Sequence, residues 1–144
     1  MFDVLFKRAF IVAVITDLTD FLFHFLFTNP MESLTYFVIK FLLAFFVAAA
    51  LFSSGIYLKK IDYRKYIVIA AGLIFSTLMS IYYRAWELSE AGVPFGTRAP
   101  DIIGISRDTL LFPLIWWLGH ALFFMMGVIA AIRLIKDKGI KKKR

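Results

Sequence analysis

The 144-residue chain contains no cysteine, only four prolines and only two histidines. Without cysteine the protein forms no disulfide, has no thiol nucleophile and binds no metal through thiolate. Any metal ion or haem would therefore need carboxylate or histidine ligands. The chain also has neither an HExxH motif nor a glycine-rich phosphate loop, so no sequence signature predicts a zinc hydrolase or a nucleotide site.

Acidic residues are scarce as well, with 10 Asp and Glu against 17 Lys and Arg, which gives a net charge of +7. The basic residues flank long apolar segments, and this pattern favours anionic phospholipid head groups over nucleic acid as the partner. Hydrophobic residues make up 61% of the chain and the mean hydropathy is +0.80. An ordinary soluble domain is roughly half apolar. We therefore predict an integral membrane protein.

Four apolar segments predict an all-α, multi-pass four-helix bundle that forms a single domain over residues 1–144. Each is close to the ~20 residues that cross a bilayer as a helix. A basic flank precedes the first segment, but no small-residue cleavage site follows it, so we expect a retained helix instead of a signal peptide. The predicted spans cover residues 10–28, 34–57, 66–84 and 110–134.

The distribution of Lys and Arg predicts the orientation of these spans. Basic residues precede the first span, join the second to the third, and follow the fourth. By the positive-inside rule both termini are cytoplasmic, and residues 84–109 form an extracytoplasmic loop. The basic tail is expected to lie on anionic lipid at the cytoplasmic face. The predicted location is a prokaryotic cytoplasmic membrane, or the endoplasmic reticulum in a eukaryote.

Three ionisable residues share one face of the first predicted span. At 100° per residue, Asp20 lies about 60° and His24 about 20° from the direction of Asp17. A carboxylate in hydrocarbon costs ~2.5 kcal/mol or more, so this face is predicted to point away from lipid. Phe10 and Ala13 are expected to extend the same stripe.

Lys40, in the second span, has a depth similar to that of Asp20 when both are measured by helical rise. The preferred prediction is an ion pair between them. Alternatively, the long lysine stem carries its ammonium toward the outer interface. Ala44, Ala48 and Gly55 follow on the same side of the helix, which indicates a face that packs against another helix.

The third and fourth spans contribute further candidates. His120 follows two tryptophans; it lies level with His24 if these mark the outer interface, and nearer Asp17 if the helix is submerged further. Ser76, Ser80 and Tyr83 lie on one line of the third span, where the hydroxyls either serve the cluster or bond back to their own helix. The candidate ligand- or ion-binding residues are therefore Asp17, Asp20, His24, Lys40, Ser76, Ser80, Tyr83 and His120.

Three functions remain open, because no motif is specific enough to assign a family. In the preferred one, a polar cluster in the outward half of the bundle binds or moves a small solute, a proton or cation, or a lipid. In the second, the chain is a non-catalytic subunit of a homodimer or larger membrane complex, and its polar residues set helix pairing. In the third, it is an enzyme with a divalent metal on Asp17, Asp20, His24 and His120, or with haem b between the two histidines. No cofactor is predicted in the first two.

Overall fold

The computed structural model describes residues 2–27, 34–54, 64–90 and 111–135, with side chains for residues 3–23, 34–54, 65–83, 85 and 117–135. These residues form four α-helices and, within the described ranges, no strand. The prediction of an all-α chain is therefore confirmed. The helices are α1 (Phe2–Phe27), α2 (Leu34–Ser53), α3 (Arg64–Glu90) and α4 (Leu111–Leu134).

Two helices extend beyond the predicted spans. α1 begins at Phe2, so the basic residues Lys7 and Arg8 are helical. α3 continues to Glu90, so the first part of the predicted 84–109 loop is helix, and the remainder lies outside the described residues. Neither extension contains proline or glycine, and both contain good helix formers such as Ala, Leu, Lys and Arg. Hydropathy marks the part of a helix that suits lipid, whereas the helix itself continues until its backbone is interrupted.

Three helices are long and apolar enough to cross a membrane: Leu34–Ser53, Lys65–Tyr83 and Trp117–Leu134. These support a membrane protein. α1 is not among them, because its described side chains include two basic and two acidic residues beyond the first turn.

The helices pack as antiparallel neighbours. α1 contacts α2 and α4, and α3 contacts the same two helices from the other side. Along the α1–α4 contact, Arg8 bonds to Ile135 and Asp20 lies beside His120, so the two helices run in opposite directions. The ends of α1 and α4 that carry Arg8 and Ile135 are therefore at one end of the structure, and the Asp20–His120 contact lies toward the other.

Small side chains line the buried face of α1 and α2. Ala9, Ala13, Ala44 and Ala48 are each fully buried, as predicted for Ala13 and for the two alanines of α2. Their size lets neighbouring helices approach closely. Gly55 lies outside the described residues.

The prediction for Phe10 is wrong, because this side chain is 47% exposed. Its ring packs at the edge of the helix, against the rings of Phe6 and Phe41. The buried face of α1 is instead rotated toward Val12 and Thr16, both fully buried. Small and β-branched side chains fit the close contact with α4, where a phenylalanine ring would hold the helices apart.

Glycine is required where α1 meets α4. A Cβ atom built on Gly127 would lie 2.9 Å from the backbone oxygen of Val12 and 3.1 Å from its Cα. At Gly72 a Cβ would lie 3.0 Å from the backbone oxygen of Ala121, where α3 meets α4. A Cβ on Gly119 would meet nothing within 4 Å.

We predict that Gly127→Ala lowers the free energy of unfolding by about 1–3 kcal/mol, because the methyl group forces two backbones apart. Gly119→Ala is the matched control on the same helix. It should be neutral or slightly stabilising, since alanine is the better helix former by about 1 kcal/mol and has free space there. Thermal unfolding of the two purified variants in one detergent measures both effects. Equal midpoints for the two variants would contradict the close α1–α4 contact.

Candidate functional site

The ammonium group of Lys40 is the centre of the candidate site. The lysine is fully buried, and its Nζ forms an ion pair with a carboxylate oxygen of Asp20, which is also fully buried. The ion pair predicted from the depths of these two residues is therefore present. The alternative, in which the lysine extends to the outer interface, does not fit a side chain that is 0% exposed.

A second carboxylate lies near the same ammonium. Oδ1 of Asp17 is 3.9 Å from Nζ of Lys40, and the Asp17 side chain is 21% exposed. The ammonium also lies over two rings of its own helix, 4.3 Å from the ring centre of Phe37 and 4.6 Å from that of Tyr36. Aromatic faces attract cations, so the rings add to the stabilisation of the buried charge.

His120 brings α4 into the site. Its Nε2 is 3.4 Å from Oδ1 of Asp20 and 3.2 Å from the hydroxyl oxygen of Tyr36. The depth of His120, which the sequence left open, is thus that of Asp20. We refer to Asp17, Asp20, Tyr36, Lys40 and His120 as the polar cluster; it joins α1, α2 and α4.

Tyr36 is the member of the polar cluster that sequence reasoning missed. It is 4% exposed and precedes Lys40 by one helical turn, on the same stripe as the buried alanines of α2. That i, i+4 spacing was the available signal. Its ring also contacts the rings of Tyr82 and Tyr83, so Tyr83 borders the polar cluster from α3.

The two predicted serines of α3 act elsewhere. The hydroxyl of Ser76 donates to the backbone carbonyl of Trp117, and this bond links α3 to α4. The hydroxyl of Ser80 donates to the carbonyl of Ser76 at 2.9 Å. Ser80 therefore bonds back to its own helix, which is one of the two outcomes considered for it.

His24 follows Asp20 by one turn of α1, but its side chain lies outside the described part of the structure. Among the described side chains, no three His, Asp or Glu residues are grouped closely enough to hold a metal ion. The metal site on Asp17, Asp20, His24 and His120, and haem b between the two histidines, therefore stay predictions.

A second buried cation lies at the other end of α1. Arg8 is 2% exposed, its Nη2 donates to the carbonyl of Ile135 at 2.7 Å, and its guanidinium lies 5.7 Å from the ring centre of Phe52. Sequence reasoning placed Arg8 in the basic flank that precedes the first span. A cation near the end of α4 is favourable, because the last carbonyls of a helix carry partial negative charge.

The polar cluster combines two carboxylates, one ammonium and one imidazole from three helices. Charges interact more strongly in a poorly hydrated interior than in water. A proton taken up by one of these groups would therefore change the balance of charge in the polar cluster.

We predict that Lys40→Met destabilises the fold by about 3–5 kcal/mol, because it leaves the Asp20 carboxylate buried without its counter-charge. Combining it with Asp20→Asn should be milder than the sum of the two single changes by about 0.5–3 kcal/mol. Asp3→Asn is the control, since it breaks the exposed pair of Asp3 and Lys7 and should cost less than about 1 kcal/mol. Chemical unfolding in detergent measures all four variants. Strict additivity of the two single changes would contradict a direct interaction.

The chain matches no protein-family model, and neither a curated protein nor a solved structure is significantly similar to it.

Proposed function

We propose that all four helices cross the membrane as a four-helix bundle, with both termini in the cytoplasm and the segment between α3 and α4 outside. The cytoplasmic membrane of a prokaryote is the proposed location, or the endoplasmic reticulum in a eukaryote. The antiparallel packing and the basic residues in the first turns of α1, between α2 and α3, and after α4 support this orientation.

The insertion of α1 is supported by its two faces. Its 26 residues rise about 39 Å, enough to cross ~30 Å of hydrocarbon. From Phe10 to Phe23 the exposed side chains of α1 are apolar, while Asp20 is fully buried on the inner face against Lys40. Arg8 and Asp20 therefore face other helices, whereas Lys7 is exposed near the end of the helix. The exposed apolar side chains of α1 are Phe6, Phe10, Leu18, Phe21, Leu22 and Phe23.

Cysteine labelling tests this orientation, because the natural chain has no cysteine to interfere. Single cysteines replace Ser33, Ser89 or Gly139 in intact cells that are treated with an impermeant thiol reagent. We expect labelling at positions 33 and 89, and labelling at position 139 only after the cells are opened. Labelling at position 139 without labelling at position 89 would reverse the proposed orientation.

We further propose that the polar cluster binds a proton, or a monovalent cation in its place, from the outer side of the membrane. The observation that carries this proposal is the convergence of Asp17 and Asp20 on the single ammonium of Lys40. Ionisable groups inside a membrane commonly mark a path or site for ions or protons.

The geometry assigns different tasks to the members of the polar cluster. Asp17 is 21% exposed whereas Asp20 and Lys40 are fully buried, so a proton would enter at the Asp17 carboxylate. Lys40 is the ion-pair partner of Asp20. His120 contacts both Asp20 and the Tyr36 hydroxyl, so it connects α4 to α1 and α2 within the polar cluster.

A second candidate function is favoured by the burial of the site. Asp20, Lys40 and His120 are at most 2% exposed and connect three helices, which suits a fixed network that sets helix pairing. The chain would then be a non-catalytic subunit of a dimer or of a larger membrane complex. The two functions differ in whether the cluster exchanges an ion.

We predict that lowering the pH stabilises the wild-type protein more than Asp17→Asn. A proton or cation stabilises the folded state by mass action when it binds that state more tightly than the unfolded chain, in which the Asp17 carboxylate can also take up a proton. The amide of asparagine preserves the shape of Asp17 but removes the carboxylate that would take up the ion. Unfolding midpoints are measured against pH, and against sodium, potassium and divalent salts at constant ionic strength.

Asp3→Asn is the control here too, since it removes an exposed carboxylate far from the polar cluster. It should follow the wild-type curve. Identical curves for wild type and Asp17→Asn, insensitive to protons and salts, would favour the fixed network. A response to divalent metal ions that Asp17→Asn abolishes would favour the metal-site alternative. If protons stabilise the wild type, the protein is placed in liposomes that enclose a pH-sensitive dye. A change in the internal pH shows that protons cross the membrane, whereas a constant internal pH shows that they only bind.

A further inference from the structure

An open apolar groove lies at the opposite end of the structure from the polar cluster. It encloses about 290 Å³ between the start of α1 and the end of α4, and its exposed lining is apolar. Phe6, Phe10 and Ile11 form the α1 side, with the stem of Lys7, and Ile135 closes it from the α4 side. An open apolar groove on the outside of a membrane protein can hold a hydrocarbon chain.

The wall of the groove is held in place by two hydrogen bonds at the end of α4. The amide of Ile135 donates to the carbonyl of Ala131 at 3.0 Å, and the carbonyl of Ile135 accepts from Arg8 at 2.7 Å. Because Arg8 is buried beneath this contact, Ile135 is anchored to α1 although it follows the last helical residue. The groove is thus built by a buried contact between two helices.

Positive charge surrounds this end of the structure. The side chain of Lys7 lines the groove and is 59% exposed, with Asp3 as its neighbour at 2.8 Å. The described cations at this end outnumber that one acid, and Lys136 comes directly after Ile135 in the sequence. Basic residues at the membrane surface attract anionic lipid. The described cations at this end are Lys7, Arg8, Lys65 and Arg133.

We propose that this groove binds an acyl chain of one anionic phospholipid, whose phosphate group lies at the Lys7 ammonium. The apolar lining accounts for the acyl chain and the exposed lysine at its rim for the head-group charge. The site is separate from the polar cluster and independent of proton binding there. It rests on the proposed insertion of α1 in the membrane, which the cysteine labelling tests by itself.

The number of phospholipids that stay bound to the purified protein tests whether the groove binds lipid. The full chain is purified from nanodiscs that contain equimolar phosphatidylcholine and phosphatidylglycerol, and the lipids that stay bound are counted by native mass spectrometry. We expect the wild type to keep phosphatidylglycerol in preference to phosphatidylcholine. Lys7→Ala should lower phosphatidylglycerol retention about fivefold, the effect of one basic residue near an anionic head group. Ile11→Trp should lower retention of both lipids by filling the groove.

Each variant has a matched control. Lys65→Ala removes an exposed cation at the same end of the structure, on a helix that does not line the groove, and should leave retention unchanged. Leu42→Trp enlarges an exposed side chain on α2 outside the groove and should also leave it unchanged. Equal losses in Lys7→Ala and Lys65→Ala, or equal retention of the two lipids by the wild type, would overturn the proposal. If the cysteines are labelled as expected but the wild type retains no lipid, the lipid site in the groove is rejected and the proposed membrane topology stands.

Discussion

The buried ammonium of Lys40 constrains the rest of the structure. A lysine with no exposed surface in an apolar interior needs an opposite charge close by, since the loss of its hydration is costly. Asp20 supplies that charge from α1, and His120 contacts the same carboxylate from α4. Three helices must therefore meet at one depth. Any shift of α1 along its neighbours would separate these groups.

Close backbone packing makes that meeting possible. The contact of Gly127 with Val12 holds α1 and α4 together two turns from the Asp20–His120 contact, and both contacts require the same antiparallel register. The buried alanines of α2 let Lys40 approach α1 in the same way. Small residues therefore let the helices approach closely. The charges make one register of the helices far more favourable than the neighbouring registers.

The two ends of α1 carry buried charges of different character. Near one end, Asp17 and Asp20 converge on a single lysine, and His120 lies beside Asp20. Near the other, Arg8 is buried against the carbonyl of Ile135, just past the end of α4, and exposed cations lie around it. The proposed proton or cation site and the proposed anionic lipid site follow from this difference in charge. Between them lie apolar and hydroxyl side chains, among them Val12 and Thr16.

The sequence by itself determined the helical class and the four helices, and it favoured the pairing of Asp20 with Lys40 over a lysine that extends to the interface. Apolar runs of membrane-crossing length and a helical rise that sets depth are local properties, readable without partners. Helix ends were less predictable, because α1 and α3 continue past their predicted spans through segments that include charged residues but neither proline nor glycine.

Only the tertiary structure decided which way the helices face. The burial of Arg8 and the exposure of Phe10 both follow from the rotation of α1 against α4, which hydropathy does not specify. The depth of His120 depended on how far α4 slides along α1, and the glycine contact fixes that distance. Tyr36 joined the polar cluster because its hydroxyl meets a histidine 84 residues away in the chain. Contacts between distant segments depend on rotation and register, and these are properties of packed pairs of helices.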